Sequence, residues 1–507
     1  TYFFPATMAL LVALLLAYVF MCLRATRTWG AAVVSFISLA CVCYYAAGAA
    51  VLLFAAICVI GEAFACGRRR LGVQYALIAL GLPYVLGVGV FGTSVVNAYS
   101  DLLPISWKIL FYDARRRGVE TVCILYLVAP VAMVAGGIVS TLWRRWETTH
   151  QAGKSKDSRT ANNTGGGGRA ATLSRRLRPT VWGRVASTVG LVAVGAAVAC
   201  GSFDARQKTH LAVDYFAYHR RWRELLIEGR KACDDPFVMH AVNRALYHTG
   251  QLGDAMFAWP QDPTYLFLTD SKYRWVHWQC FATHLELGAV NVAENALMEC
   301  LGGMGDRPMV LQQLAWINLV KGNLGTARVF LHTLRGTLFH RQWANRYLAL
   351  LERDPGLATD KEIQYLRSVA MEQDYPSLRL AQEVMLLDLL KKNSKNRMAF
   401  EYLMASYLLN RQLSRFIERI DELPELGYQT LPRHYEEAVL VYAATARTSV
   451  QLRRYSPRND VREQMEHIGG ILQSHGGDKQ AAFADLERSH GNTYAFYNIY
   501  GRRGRSR

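Results

Sequence analysis

The stretch Leu311-Gln312-Gln313-Leu314-Ala315, followed seven residues on by Gly322-Asn323-Leu324-Gly325-Thr326-Ala327, reads as a helix, a turn and a second helix. Apolar residues recur at helical spacing up to the glycine, which takes the left-handed backbone of a tight helix end without steric cost. The alanine five positions later is small enough to let the second helix lie close against the first. The same glycine-to-alanine interval recurs in Gly250-Gln251-Leu252-Gly253-Asp254-Ala255 and in Gly288-Ala289-Val290-Asn291-Val292-Ala293, so the glycines stand 38 and 34 residues apart. Weaker copies surround Arg220-Arg221-Trp222 and Asn410-Arg411-Gln412-Leu413. Helical hairpins repeating at this period are of the tetratricopeptide type. One such unit cannot bury its faces alone, so residues 201–507 are expected to stack into an α-solenoid of roughly 14 helices.

N-terminal to this array the material changes. The chain of 507 residues is 51% hydrophobic and only 19% charged, which is awkward for an average soluble protein. Residues 1–200 hold 19 Lys and Arg against 6 Asp and Glu, which puts +13 of the net +18 there, in short clusters between apolar runs. Such clustering fits a membrane protein and makes nucleic acid a poor partner. The 26 Tyr, 20 Phe and 11 Trp exclude a disordered chain.

The apolar runs give an all-α fold class: a multi-span transmembrane domain followed by the tetratricopeptide-like solenoid. Phe3 to Leu23 is long enough to cross the ~30 Å of bilayer hydrocarbon. Gly30 to Cys66 is too long for one span and is expected to turn back near Tyr44-Tyr45-Ala46-Ala47-Gly48. Gln74 to Ala98, with Pro83 inside, and Val119 to Leu142, ended by Trp143-Arg144-Arg145-Trp146, are further spans. This gives about five spans in 1–142, a basic Gly-rich linker over 143–180, a last span over 181–200, and a helical-repeat domain over 201–507.

Between Arg144 and Arg184 ten Lys or Arg face two acids, which places the linker in the cytoplasm. Arg24, Arg27 and Arg68-Arg69-Arg70 then fall on the same side if Gly30–Cys66 is a hairpin, and the last span carries residues 201–507 to the outer, periplasmic face of a bacterial inner membrane. Arg115-Arg116-Arg117, in an outer loop, disagrees with this parity. The run Gly165-Gly166-Gly167-Gly168 makes the linker flexible, and its cations are placed to meet membrane lipids. Cys22, Cys41, Cys43, Cys58, Cys66, Cys123 and Cys200 lie in or beside apolar runs, while Cys233, Cys280 and Cys300 leave room for one bridge at most.

The stretches Asn243-Arg244-Ala245-Leu246-Tyr247-His248-Thr249-Gly250, Met256-Phe257-Ala258-Trp259-Pro260-Gln261, Asn396-Arg397-Met398-Ala399-Phe400-Glu401-Tyr402-Leu403-Met404 and Tyr494-Ala495-Phe496-Tyr497 resemble an uncharacterised family of bacterial multi-spanning membrane proteins. That resemblance implies a C-terminal helical-repeat region and brings no reaction and no catalytic residue.

Motifs of chemistry are sparse. Gly87, Gly89 and Gly92 fit GxGxxG, but they lie in an apolar span without a preceding strand, so close helix packing is the expected reading. No Walker motif, HExxH, GxSxG or paired-cysteine metal site occurs, and no cofactor or metal is expected. Glu62 is the one acid well inside an apolar run, and Asp101 and Asp113 are loop acids that an envelope transferase would use as a general base or metal ligand. The histidines are scattered; His240 with His248, and His277 with His284, miss the i,i+4 spacing of a metal clamp. Asn243, Arg244, Tyr247 and His248 form a polar stripe on one helix, and Asn396, Arg397, Glu401 and Tyr402 form a second. Both are candidate partner-binding faces, with hydrogen bonding between repeats as the structural alternative. The expected function is a membrane-anchored, non-enzymatic scaffold binding a protein partner within a membrane or envelope complex. The alternatives are an envelope glycan or lipid transferase with its active site among the spans and, with less support, a transporter subunit.

Overall fold

The computed structural model describes residues 3–23, 28–65, 68–103, scattered positions between 126 and 138, 205–268, 275–371, 382–447, 452 and 454–501. The linker 143–180, the last expected span over 181–200, Asp113 and most of Val119–Leu142 lie outside the described residues. All regular structure among the described residues is helical. Two compact units divide at residue 204, with 336–338 grouped with the first.

The first unit opens with α1 (Phe3–Leu23), α2 (Trp29–Ala47), α3 (Val51–Ile60), α4 (Arg69–Pro83) and α5 (Val95–Ser100). Runs Trp29–Ala63 and Arg69–Val90 are long and apolar enough to cross a membrane, and Met8–Leu23 is a shorter apolar helix. The first run does not extend straight. Phe36 and Phe54 stack at 5.4 Å although 18 residues of straight helix would part them by ~27 Å. The reversal sits at Gly48, φ 55°, where the expected turn falls. Four helices each give one ring to a shared cluster: Phe20 lies edge-on to Phe36, Phe54 and Tyr75, and Phe36 stacks on Tyr75 at 4.3 Å. Ala9, Ala13 and Ala17, one helical turn apart, are buried and let α1 approach its neighbours closely.

One expected span needs correction. Gln74 to Ala98 is not a single helix: a π-helical segment, Tyr84–Val90, follows Pro83 and ends at Gly92 (φ 63°). Thr93 bonds the Gly87 carbonyl through both its backbone N–H and its hydroxyl, and Ser94 caps α5 by accepting from Asn97 N–H. The chain thus turns back, and Tyr99 Oη donates to the Leu80 carbonyl. Of the GxGxxG glycines, Gly87 serves this packing, since a Cβ there would collide with Tyr44 and Ala98, whereas a Cβ on Gly89 would meet nothing within 4 Å.

The second unit contains α6 (Ala205–Tyr218), α7 (Trp222–Gly229), α8 (Pro236–His248), α9 (Leu252–Ala255), α10 (Trp275–Leu287), α11 (Val290–Met304), α12 (Pro308–Lys321), α13 (Leu324–Arg335), α14 (Arg341–Arg353), α15 (Lys361–Val369), α16 (Gln382–Lys392), α17 (Arg397–Leu409), α18 (Leu413–Arg419), α19 (Arg433–Ala446), α20 (Asn459–Ser474), α21 (Phe483–His490) and α22 (Tyr494–Tyr500). These 17 described helices exceed the expected 14; several second helices are short and run on as 3₁₀ turns, as at Arg230–Ala232, Met256–Ala258 and Ile420–Leu426.

Five hairpins share one turn. At Arg220, Gly250, Gly288, Gly322 and Arg411 the backbone is left-handed, with φ between 55° and 101°. In each, the amide of that residue bonds the carbonyl three back, and the next amide bonds the carbonyl five before it. This double bond satisfies two of the carbonyls a helix end leaves open. Five positions past the turn residue, Leu225, Ala293, Ala327 and Phe416 are fully buried, while Ala255 is half-buried. This position is thus filled by alanine in the three glycine turns and by a large apolar side chain in the two arginine turns.

Candidate functional site

The site is built where α8, α10 and α17 meet. Asp235 caps α8 by accepting from the Phe237 and Val238 amides, and Pro236 fits the first turn. The helix so started points Asn243 inward, where its amide exchanges hydrogen bonds with Gln261 at 3.2 and 2.9 Å. The next residue, Arg244, grips Glu286 of α10 with two bonds, Nε at 2.8 Å and Nη2 at 2.7 Å. His248 Nε2 lies 3.0 Å from the same carboxylate. The Trp222 indole stacks on the His248 ring at 4.3 Å, and the Arg244 guanidinium sits 5.0 Å from its centre.

The second stripe is a helix start. Asn396 caps α17 by accepting from the Ala399 amide and donates to the Leu287 carbonyl, the last of α10, at 2.8 Å. Arg397 Nε bonds Glu401 at 2.7 Å, Tyr428 Oη donates to the same Glu401 oxygen, and Arg397 rides over the Tyr428 ring at 4.6 Å. The buried Tyr402 ring meets Tyr247 edge-on at 6.3 Å. The two expected stripes therefore converge, but not as open faces. Asn243, Arg244, Asn396, Glu401 and Tyr402 are buried, and their hydrogen bonds or ring contacts lie within the chain. His248 and Arg397 are exposed and Tyr247 half-buried, leaving three of the eight to meet solvent.

Glu286, Gln261, Tyr428 and Asp214 complete the network and carry no signature in the sequence; Glu286 and Arg244 stand 42 residues apart. Burial alone would raise the Glu286 pKa, but the Arg244 charge and hydrogen bonds outweigh it and hold the carboxylate well below its usual range. Burial pushes both His240 and His284 down to about 4, so they are neutral at pH 7. His240 Nδ1–H donates to the Tyr265 and Leu266 carbonyls, which leaves Nε2 to accept from Thr283 Oγ1 at 3.0 Å. Cys233, Cys280 and Cys300 are free thiols, with no bridge among them, and burial pushes Cys280 up to about 12. Asp101, outside this network, lends its backbone carbonyl to Ala49 N–H beside the Gly48 turn.

Asp214 of α6 accepts from Trp278 Nε1 at 2.9 Å and Gln279 Nε2 at 3.0 Å. Burial nevertheless lifts its pKa from 3.8 to about 6. A carboxyl group raised in this way supports the fold fully below 3.8, and that support is lost as pH rises through 6, so the ionised form strains the fold at neutral pH. Asp214→Asn keeps an acceptor and is expected to raise stability at pH 7.5 by about 2 kcal/mol, or ~2–4 °C in melting temperature. Thermal scans should show the gain shrinking as pH is lowered from 6 toward 4; a lower melting temperature at pH 7.5 would contradict the assignment.

Chemically, the network is a charge-compensated clamp: one cation and one imidazole of α8 share one carboxylate of α10, with an aromatic and cationic rim at the surface. An all-helical chain of paired helices with apolar N-terminal runs is the class this defines. The chain belongs to the DUF6057 family, a family of unknown function whose model matches residues 1–501. No curated protein and no solved structure matches it.

Proposed function

We propose that this protein is a membrane-anchored scaffold whose tetratricopeptide-like helical domain binds a protein partner in a membrane or envelope complex. The observation that carries this reading is the set of five hairpins sharing one turn, because repeated hairpins generate extended helix faces suited to holding peptides. Anchoring is supported by Val73, Leu77, Leu80 and Tyr84, which form an exposed apolar stripe along α4 and the π-helical segment after it, with rings packed inside. The reading includes a multi-pass topology in a bacterial inner membrane with the helical domain on the periplasmic side, a sidedness that the basic linker supports. Binding is assigned to the exposed rim, Tyr247, His248 and Arg397, and the buried members of both stripes hold that rim in place.

The test combines capture with sidedness. His248→Ala with Arg397→Ala is expected to weaken capture of a stoichiometric partner chain about tenfold while the melting temperature stays within a few degrees. A membrane-impermeant thiol reagent should modify a cysteine engineered into the 454–501 region in intact spheroplasts. Unchanged capture removes the rim from the interface, modification only after lysis reverses the sidedness, and a co-purified lipid-linked sugar in place of a protein favours the transferase.

A further inference from the structure

We infer that the groove between α14 and α15 is a docking site for an acidic peptide segment bearing an apolar side chain. The inference deepens the scaffold reading by naming the chemistry of the partner, and it rests on that reading. The groove has a volume of about 580 Å³, and Ala349 and Leu350 supply its apolar lining. Arg346, Arg353 and Lys361 line it as well and are exposed.

Its charges are unevenly committed. Asp360 caps α15 through the Glu362 and Ile363 amides and accepts from Tyr347 Oη at 3.2 Å, and Glu362 is paired with Arg220. Among the described residues, no carboxylate lies within ion-pair distance of Arg346, Arg353 or Lys361. Both acids of the groove are therefore occupied while all three cations remain available. The surroundings reinforce this: residues 324–362 hold six Lys or Arg against four Asp or Glu, so the local field attracts an anion.

Spacing selects the ligand. Arg346 and Arg353 are two helical turns apart, ~10 Å along α14. A peptide in the polyproline II conformation, with three residues per turn and a rise of ~3.1 Å per residue, presents carboxylates three positions apart on one face at nearly the same interval. Guanidinium groups bind carboxylates with paired hydrogen bonds, and the apolar lining offers a place for one aliphatic side chain between them. A bilayer surface fits less well, because the cations line a recess shared with two carboxylates.

The probe is a fluorescein-labelled peptide of Glu and Leu with acids three apart, titrated into the detergent-solubilised full chain and followed by anisotropy. The wild type is expected to bind, more weakly as salt is raised, and a Lys-for-Glu peptide is expected not to bind. Arg346→Glu with Arg353→Glu should weaken binding at least tenfold, and Arg346→Gln with Arg353→Gln about threefold to tenfold, with melting temperatures unchanged. Absence of wild-type binding at millimolar peptide, equal binding by both double variants, or binding of phosphatidylglycerol vesicles in place of the peptide would overturn the inference. Because His248 and Arg397 lie outside this groove, peptide failure alongside intact partner capture by the wild type refutes the groove alone; a wild type that neither binds the peptide nor captures a partner chain refutes the scaffold.

Discussion

Glu286→Ala is expected to destabilise the helical domain by about 3–5 kcal/mol, the cost of leaving a buried guanidinium without its counter-charge. Arg244 would keep its burial but lose both short bonds, and His248 would lose its acceptor. The loss should appear as a lower urea midpoint with an unchanged slope. Replacing both partners, Arg244→Met with Glu286→Leu, should recover most of it, because the desolvation of two charges is then avoided. A single variant that unfolds at the wild-type midpoint would show that the clamp is ornamental.

Gly288→Ala should cost several kcal/mol, roughly 3 or more, from two sources acting together. Gly288 has φ 101°, a backbone that side chains resist, and an added Cβ would overlap the Val369 carbonyl. That approach is enforced by a hydrogen bond from Met371 N–H to the Gly288 carbonyl at 2.9 Å. Gly322→Ala is the internal control: φ is 76°, but nothing lies within 4 Å of the new methyl, so the expected loss is about 1 kcal/mol. Paired melting curves that show equal losses would remove the steric contribution.

The hairpin turns were legible because their requirement is local. Gly250, Gly288 and Gly322 announce left-handed backbones, and even Arg220 and Arg411, where no glycine marks the turn, were recovered from the residues around them. The fold-back at Gly48 was legible for a similar reason, as an apolar run too long for one span. Helix boundaries around Gly92 were missed, since Pro83 and the small residues after it read as apolar regardless of whether they continue or reverse. The polar stripes were read as helical faces, yet Asn396 lies at the cap before its helix, and exposure depends on what packs over each residue. Asn243 and Asn396 look alike on a helical wheel, but one is matched to Gln261 and the other closes a helix start against the Leu287 carbonyl. Both partners sit on other elements, beyond the reach of any local pattern.

Phe257 packs on Tyr494 and Tyr497, and Tyr497 Oη donates to the Leu409 carbonyl. The helical domain is thus closed by contacts between early and late parts of its chain. During synthesis, Phe257 must wait for residues 494–500 to emerge from the ribosome, so it lacks these partners while the chain between them is made. Nascent chains stalled before Tyr494 should accordingly be cut by protease near Phe257, and chains released after Tyr500 should resist.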